Sequence, residues 1–163
     1  MVGAAPAAPR RVVAVALGAN LGDRREALAW AASRLADLLS NSRTSSFIET
    51  APVGPGLAGD PLYLNAAVVG TSDRSAEDLL DALLALERER GRVRPYPGAP
   101  RVLDLDLILV GDDVIDRAGL TLPHPRFRDR VFVLAPLAEI APDLRDPVSG
   151  RTVQELLDAA SGK

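Results

Sequence analysis

The most distinctive chemical pattern in the sequence is a pair of aspartates two residues apart, Asp104 and Asp106, with leucines before, between and after them. This alternation is typical of a strand with one polar and one buried face, so both carboxylates are predicted on the same face, about 6.6 Å apart. Two bare charges at that distance repel by roughly 2.5 kcal/mol at an effective dielectric constant near 20. Magnesium prefers carboxylate and phosphate oxygens and would remove the repulsion. The alternative is a solvated polar face with arginine partners.

Cationic side chains surround this pattern in the sequence. They are Arg92, Arg94 and Arg101 before it, and the single histidine His124 with Arg126, Arg128 and Arg130 after it. Guanidinium groups suit phosphate oxygens because they donate parallel hydrogen bonds. Taken one at a time, each arginine is more simply explained as a surface charge than as a phosphate-binding residue. A histidine between two prolines usually has a structural role. However, the sequence brings two carboxylates and several arginines near one strand. This combination fits a magnesium nucleotide, whose triphosphate is neutralised by metal ions and cationic side chains.

A second candidate site combines an aromatic ring with an amide. Tyr63 and Asn65 are same-face neighbours if they lie on a strand. The ring can stack on a flat heterocycle while the amide forms hydrogen bonds to its edge. The alternative is a tyrosine in the core of the sheet and an asparagine that forms a turn.

Composition excludes several classes of function. The 163 residues are enough for one domain, and the net charge of -3 argues against a general nucleic-acid binder. There is no cysteine, which excludes disulfides, zinc–thiolate sites and iron–sulfur clusters, and Lys163 is the single lysine, which excludes a Walker-type phosphate lysine. No apolar run approaches the length of a membrane span. Residues 1–10 are rich in Ala and Pro, so we expect them to be a flexible tail. We expect residues 11–163 to form a single domain, and the protein to be cytoplasmic.

The predicted elements follow the order β-α-β-β-α-β. They are a strand at 12–17, a helix capped by Asp23 that runs to about residue 40, strands at 43–49 and 62–71, a helix capped by Ser75 that ends at Gly91, and a strand at 102–110. Two Pro/Gly-rich segments, 50–61 and 92–100, are predicted as loops, and helices are expected near 130–139 and 152–160. This order predicts an α+β fold: a ferredoxin-like antiparallel sheet with helices packed on it and C-terminal helical additions.

The residues above belong to a longer ordered set of motifs. These are Gly18-Ala-Asn-Leu-Gly-Asp23, Thr50-x-Pro52-x-Gly54-Pro55, Tyr63-Leu-Asn65, Glu87, Gly91-Arg92-Val-Arg94, Pro100-Arg101-x-Leu-Asp104-Leu-Asp106, Leu122-Pro-His124-Pro and Arg130-x-Phe132-Val-Leu-x-Pro136. Together they closely resemble the 6-hydroxymethyl-7,8-dihydropterin pyrophosphokinase family over about residues 12–146. The most specific part is the block that ends at Asp106.

The resemblance implies a reaction and its participants. The enzyme would transfer diphosphate from ATP to the hydroxymethyl group of the pterin in folate biosynthesis, with AMP as the leaving group. Asp104 and Asp106 would hold two Mg²⁺ ions that bind together with ATP. The expected partners are ATP and a hydroxymethyldihydropterin, without nucleic acid or membrane, and the expected state is a monomer.

The resemblance also implies residue roles. The implied catalytic set is Arg92, Arg101, Asp104 and Asp106. The implied pterin pocket is Thr50, Pro52, Val53 and Asn65, with Tyr63 and Phe132 as the two rings that sandwich the pterin. The implied ATP site is Glu87, Arg92, Arg94, Arg101, Leu107, Thr121, His124 and Arg130.

Two rival functions use the same predicted scaffold. A non-enzymatic sensor of a small ligand would explain the fold, Tyr63 and the glycine-rich loops, but not paired carboxylates beside Arg101. A ferredoxin-like RNA-binding domain needs exposed aromatic residues and a basic sheet. The strand that contains Asp104 is acidic and has no aromatic residue, so the RNA-binding alternative is discarded.

Overall fold

The described residues of this computed structural model are 9–20, 22–50, 63–91 and 103–162. The strands are β1 (Arg11–Ala19), β2 (Ser40–Thr44), β3 (Ile48–Thr50), β4 (Tyr63–Ser72), β5 (Asp104–Val110), β6 (Ile115–Arg117) and β7 (Leu120–Leu122). The helices are α1 (Arg24–Leu38), α2 (Ala76–Gly91), α3 (Val131–Ile140) and α4 (Val153–Ala160), with a short 3-10 helix at Phe127–Asp129. None of the described helices is both long and apolar enough to cross a lipid bilayer.

The main sheet has the order β2-β4-β1-β5, and β3 pairs with β4 beside β2. Every one of these pairings is antiparallel. Helix α1 follows β1 and helix α2 follows β4, which gives the predicted β-α-β-β-α-β arrangement. The predicted α+β, ferredoxin-like fold is therefore confirmed.

The predicted strand at 43–49 is wrong in its bounds, because two short strands, β2 and β3, lie on either side of Ser45. Ser45 is buried, its N–H donates to the Ala67 carbonyl at 2.9 Å, and its hydroxyl oxygen accepts from the Ala67 N–H at 2.8 Å. The Ser45 hydroxyl oxygen thus accepts a hydrogen bond that a backbone carbonyl would accept in a regular pair of strands. The pairing with β4 continues, but the regular strand is interrupted.

One face of the sheet packs against α1 and α2. Both helices begin at the predicted caps: Asp23 accepts from the Glu26 N–H at 3.0 Å, and Ser75 accepts from the Asp78 N–H at 3.1 Å. The buried side chains on this face include Val13, Val15, Leu17, Leu28, Leu35, Leu64, Val68, Leu79, Leu83, Leu105 and Leu107. Burial of these apolar stripes fixes both helices on the sheet.

The second face packs against α3 and α4. Its buried residues include Ala14, Ala16, Ala67, Val69, Ile108, Leu109, Phe127, Leu134, Leu137 and Val153. The carboxylate of Glu139 on α3 accepts from the Ser46 N–H at 2.6 Å and from the Ser46 hydroxyl at 2.5 Å. These bonds tie α3 to the β2–β3 junction, and they lower the pKa of Glu139.

A bulge interrupts the pairing of β5 with β1. Ala14 pairs with Leu109 and Val15 pairs with Leu107, so Ile108 is an extra residue on β5. Up to Leu107, the side chains of β5 alternate between the two faces of the sheet, as the sequence predicted. This alternation is interrupted after Leu107, because Ile108 and Leu109 both face α3 and α4. The Ile108 carbonyl accepts from the His124 N–H at 2.9 Å. The bulge thereby attaches the segment that follows β7 to β5.

Candidate active site

The site begins with a row of residues across three strands on the second face of the sheet. Gly18 of β1 lies opposite Asn65 of β4 on one side and opposite Asp104 of β5 on the other. In the next row on this face, Ala16 pairs with Asp106. Because the central strand contributes only glycine and alanine, the polar side chains of the outer strands border a shallow floor.

The two carboxylates face a recess of about 380 Å³, which we call the charged recess. Its described lining consists of Asp104, Asp106, His124, Pro125, Arg126 and Arg130. The predicted same-face placement of Asp104 and Asp106 is confirmed, since both are half-buried while Leu103, Leu105 and Leu107 are buried. The recess therefore combines acidic and basic side chains within one concave surface, which suits a phosphate-rich ligand bound with cations.

His124 is held in a defined tautomer. Its Nδ1 accepts from the Arg126 N–H at 3.2 Å, so in the neutral ring the proton lies on Nε2. Burial lowers the pKa of His124, and the charges of Arg130 and Arg126 lower it further, against an opposing effect of Asp104. At neutral pH the ring is therefore uncharged and offers Nε2–H as a hydrogen-bond donor.

The arginines that follow His124 separate into two groups. Arg126 and Arg130 line the charged recess. Arg128 instead donates to Asp146 from Nε at 2.5 Å and from one Nη at 3.0 Å. Arg126 and Arg130, which flank the 3-10 helix Phe127–Asp129, thus reach the charged recess, whereas Arg128 inside that helix holds the segment in place.

Three residues of the predicted pterin pocket, Thr50, Tyr63 and Asn65, lie together on β3 and β4. Asn65 is almost fully buried, and its Nδ2 donates to the Thr50 hydroxyl oxygen at 2.6 Å, which fixes the amide orientation. Tyr63 pairs with Thr50 at the start of β4 and is 37% exposed, so its ring is available for contact. Helix α3 packs on β4, and Phe132 near its start is partly buried against the same face.

A second concavity adjoins the first and shares Asp106, His124 and Pro125 with it. We call it the apolar recess; its other described lining residues are Leu80, Leu84, Glu87, Leu105, Leu107, Gly119, Leu120 and Thr121. Glu87, Leu107 and Thr121, which were predicted from the resemblance, are thus brought together. Leu80 and Leu84 were missed as site residues, because their spacing was read as part of the core face of α2. Leu84 is in fact 40% exposed.

Glu87 connects α2 to the strand that contains the two aspartates. Its Oε2 accepts from the Leu105 N–H at 2.7 Å. Leu105 lies between Asp104 and Asp106, and β1 occupies the other side of β5, so this N–H points away from the sheet. The carboxylate thus supplies the acceptor that a further strand would supply.

We expect Glu87→Ala to lower the free energy of unfolding by about 1–3 kcal/mol, because it leaves the Leu105 N–H without its charged acceptor. Glu87→Gln keeps an acceptor oxygen and should retain most of that stability. Urea unfolding measures both changes. The control is Glu89→Ala, which removes an exposed pair with Arg34 and should change the free energy of unfolding little. Equal losses at positions 87 and 89 would contradict the assignment.

Five predicted site residues, Pro52, Val53, Arg92, Arg94 and Arg101, lie outside the described residues. So do the whole of the predicted loop 92–100 and all of the predicted loop 50–61 except Thr50. Their roles remain predictions of the sequence.

Paired carboxylates that line one recess with two arginines and a histidine combine the metal-binding and phosphate-binding groups that enzymes of phosphoryl transfer use. A model of the family "7,8-dihydro-6-hydroxymethylpterin-pyrophosphokinase (HPPK)" matches residues 14–142. The chain belongs to this family, as the motifs in the sequence predicted.

Individual relatives agree with this result. The chain is 42% identical over 146 residues to a 2-amino-4-hydroxy-6-hydroxymethyldihydropteridine pyrophosphokinase of Synechocystis, covering 88% of this chain and 73% of that protein. It is 43% identical over 150 residues to the protein of the same name in Pseudomonas aeruginosa, covering 90% of each. The crystal structure of wild-type Plasmodium falciparum HPPK-DHPS is similar in fold, with a TM-score of 0.68 at 13% identity over 93% of this chain. The chain spans less than half of that longer structure, at 41%.

Proposed function

We propose that this chain transfers the terminal diphosphoryl group of ATP to the hydroxymethyl group of 6-hydroxymethyl-7,8-dihydropterin, giving the pterin diphosphate and AMP. The observation that carries the proposal is the charged recess, where Asp104 and Asp106 lie on one face opposite His124 and Arg130. Family membership supplies the identity of the substrates.

The residues present fit magnesium. Two carboxylates on one strand face are hard oxygen donors, and Mg²⁺ is commonly held by one or two carboxylates together with substrate phosphates and water. Among the described residues, no group of three or more Asp, Glu, His or Cys side chains is placed to hold a metal ion. We therefore propose that Asp104 and Asp106 hold two Mg²⁺ ions with ATP. When bound, these ions would neutralise phosphate charge and make the hydroxyl group more acidic.

The protein groups around the reaction then act by positioning and charge. The pterin hydroxymethyl oxygen forms a bond to the β-phosphorus, and the bond from that phosphorus to the oxygen of the α-phosphate breaks. Arg130 and Arg126 place guanidinium groups where phosphate charge accumulates, and neutral His124 donates through Nε2. Donors held in place before the reaction need no reorganisation in the transition state. We propose the same kind of role for Arg92, Arg94 and Arg101.

The two substrates would occupy neighbouring parts of the site. Asn65, fixed by its bond to Thr50, would form hydrogen bonds to the edge of the pterin, and Tyr63 and Phe132 would pack on its two faces. Pro52 and Val53 would complete this pocket. The apolar recess would hold the nucleoside of ATP against Leu80 and Leu84, near Glu87, Leu107 and Thr121, with the triphosphate directed toward His124.

One assay separates this proposal from its rivals. The protein is incubated with Mg²⁺, ATP and hydroxymethyldihydropterin, and the nucleotide products are separated by chromatography. We expect AMP and pterin diphosphate in equal amounts. ADP as the sole nucleotide product would overturn the diphosphoryl transfer. Binding of the pterin without turnover would instead favour the ligand sensor.

We expect Arg130→Ala to lower kcat by about 100-fold, because a charge-assisted donor to the transferring group counts most in the transition state. The control is Arg34→Ala. Arg34 is paired with Glu89 at 2.7 Å and packs over Trp30 on the helices of the opposite face, so its removal should leave turnover unchanged. Steady-state kinetics of both variants tests the difference. Equal effects would show that total charge, and not position, is responsible.

We also propose that residues 11–163 form one monomeric, cytoplasmic domain. In support of a single domain, both hydrophobic clusters of the described residues pack on one sheet. ATP as cosubstrate favours the cytoplasm. Analytical ultracentrifugation at the assay concentration tests the monomer.

A further inference from the structure

A tight loop between α3 and α4 presents a buried carboxylate to the segment that carries the site arginines. A β-bridge between Arg145 and Thr152 closes this loop, which we call the α3–α4 loop. Within it, the Asp146 N–H donates to the Arg151 carbonyl at 2.9 Å, and the Asp146 carbonyl accepts from the Gly150 N–H at 2.8 Å. Both backbone polar groups of Asp146 are thus paired inside the loop, which fixes the point where its side chain begins.

The carboxylate of Asp146 anchors Arg128, which lies in the 3-10 helix just before Arg130. Asp146 is fully buried and accepts from Arg128 Nε at 2.5 Å and from one Nη at 3.0 Å. By contrast, the backbone N–H groups of Phe127, Asp129 and Arg130 donate over 3.2–3.4 Å. Backbone hydrogen bonds usually measure roughly 2.7–3.2 Å, so the backbone of this 3-10 helix holds its own orientation weakly. The charge-assisted pair with Asp146 is the shorter tether.

The pair is not needed to attach this helix to the core. Phe127 is fully buried and packs in the hydrophobic cluster that includes Val153 and Leu156 of α4. Taking a carboxylate out of contact with water is costly, and replacing such an ion pair with apolar residues is often neutral or stabilising. Two parallel hydrogen bonds add direction instead, because they fix the plane of the guanidinium group. The pair therefore contributes orientation more than attachment.

We propose that Asp146 is a positioning residue for the diphosphoryl transfer: through Arg128, it holds the 3-10 helix in the orientation that directs the Arg130 guanidinium into the charged recess. This inference rests on the proposed function. Arg130 lies between the 3-10 helix and α3, so a rotation of the 3-10 helix would move it. No residue of the α3–α4 loop is among the described lining of either recess, so Asp146 acts at a distance.

The test is a double-mutant cycle between Asp146→Asn and Arg130→Ala. A displacement of about 1 Å in a positioned group can lower a rate about 100-fold, and we expect Asp146→Asn to lower kcat about ten-fold, because its amide oxygen still accepts one bond. The KM for the pterin should be unchanged, since Tyr63 and Asn65 lie on β4. In the Arg130→Ala background, the same change should lower kcat about two-fold or less, because the group that it positions is absent.

Two further variants separate positioning from stability. Gly70→Ala should lower the melting temperature, because its Cβ would lie 2.8 Å from Leu39 Cβ and 2.9 Å from the Ser40 carbonyl oxygen, but it should leave kcat unchanged. Arg128→Lys keeps the charge and loses the two parallel bonds, so it should lower kcat in the same direction as Asp146→Asn. It carries the same cycle with Arg130→Ala if Asp146→Asn does not fold. All assays are run at a temperature where circular dichroism shows each variant to be folded.

The remaining outcomes contradict the positioning role. Unchanged kcat in folded Asp146→Asn would overturn it. Equal relative losses of kcat in the wild-type and Arg130→Ala backgrounds would show that Asp146 does not act through Arg130. A loss of kcat in Gly70→Ala as large as that in Asp146→Asn would assign the effect to stability. Absence of AMP formation by the wild type would overturn the proposed function and this inference with it, whereas an active wild type with an unaffected Asp146→Asn variant overturns the inference alone.

Discussion

Asp104→Ala and Asp106→Ala are each expected to lower kcat by about a thousand-fold or more at saturating ATP and pterin. Each change removes one of two oxygen donors for the proposed magnesium ions, whose charge stabilisation is worth several kcal/mol in the transition state. Both side chains are half-buried at the charged recess, so removal of either leaves the hydrophobic clusters in place. Turnover as a function of Mg²⁺ concentration measures the effect.

The control for this prediction is Asp37→Ala, an exposed aspartate near the end of α1. It should leave both turnover and the Mg²⁺ dependence unchanged. Asp104→Asn and Asp106→Asn keep the size of the side chain but remove its charge, and they should behave like the alanine variants. Near-normal turnover of any variant at saturating Mg²⁺ would show that the residue is not a metal ligand.

The largest expected effect on stability is at Asp146. Its side chain is fully buried and accepts two bonds from Arg128, one from the Ser149 hydroxyl at 2.7 Å and one from the Val148 N–H at 3.0 Å. Asp146→Ala leaves the partly exposed Arg128 and the Ser149 and Val148 donors without their acceptor, so we expect the free energy of unfolding to fall by about 2–3 kcal/mol. Urea unfolding at pH 7 measures this loss, and Asp143→Asn, an exposed aspartate three residues earlier, should change little. If Asp146→Ala lowered the free energy of unfolding no more than Asp143→Asn does, the stabilising role of the Arg128–Asp146 pair would be contradicted.

The same carboxylate predicts how stability depends on pH. Burial alone would raise the pKa of Asp146, but the hydrogen bonds from Arg128, Ser149 and Val148 outweigh it and hold this pKa well below its usual range. The folded state therefore binds a proton less readily than the unfolded state, so the contribution of Asp146 is complete above about pH 4 and is lost as the pH falls below that value. In Asp146→Asn, this part of the acid-induced loss of stability should disappear. An unchanged acid profile would assign it to other groups.

The sequence predicted the part of the site that depends on local periodicity. Asp104 and Asp106 share a face because alternation along a strand is a property of the backbone, and the helix caps at Asp23 and Ser75 follow from short-range hydrogen bonds. Periodicity identifies neither substrates nor residue roles. These were predicted from the resemblance of the ordered motifs to a known family.

Features that depend on contacts distant in sequence could not be predicted in this way. The shift of alternation at Ile108 arises from a bulge against β1, and the break at Ser45 arises from a side-chain bond to β4. Arg128 is indistinguishable from Arg126 and Arg130 until its partner 18 residues away is known. Leu84 has the spacing of a core leucine, and only the placement of β7 beside β5 reveals that it lines a recess.

The outer side of β5 has a consequence for the solution behaviour of the chain. An open edge strand is a template on which another chain can add a strand, and this is a common route to aggregation. On β5 the Leu105 N–H is occupied by Glu87 and the Ile108 carbonyl by His124, so the groups that position the site also block strand addition. At the opposite edge, β2 is short, polar and irregular in register. Substitutions at Glu87 therefore risk self-association as well as loss of turnover, and light scattering on heating would detect it.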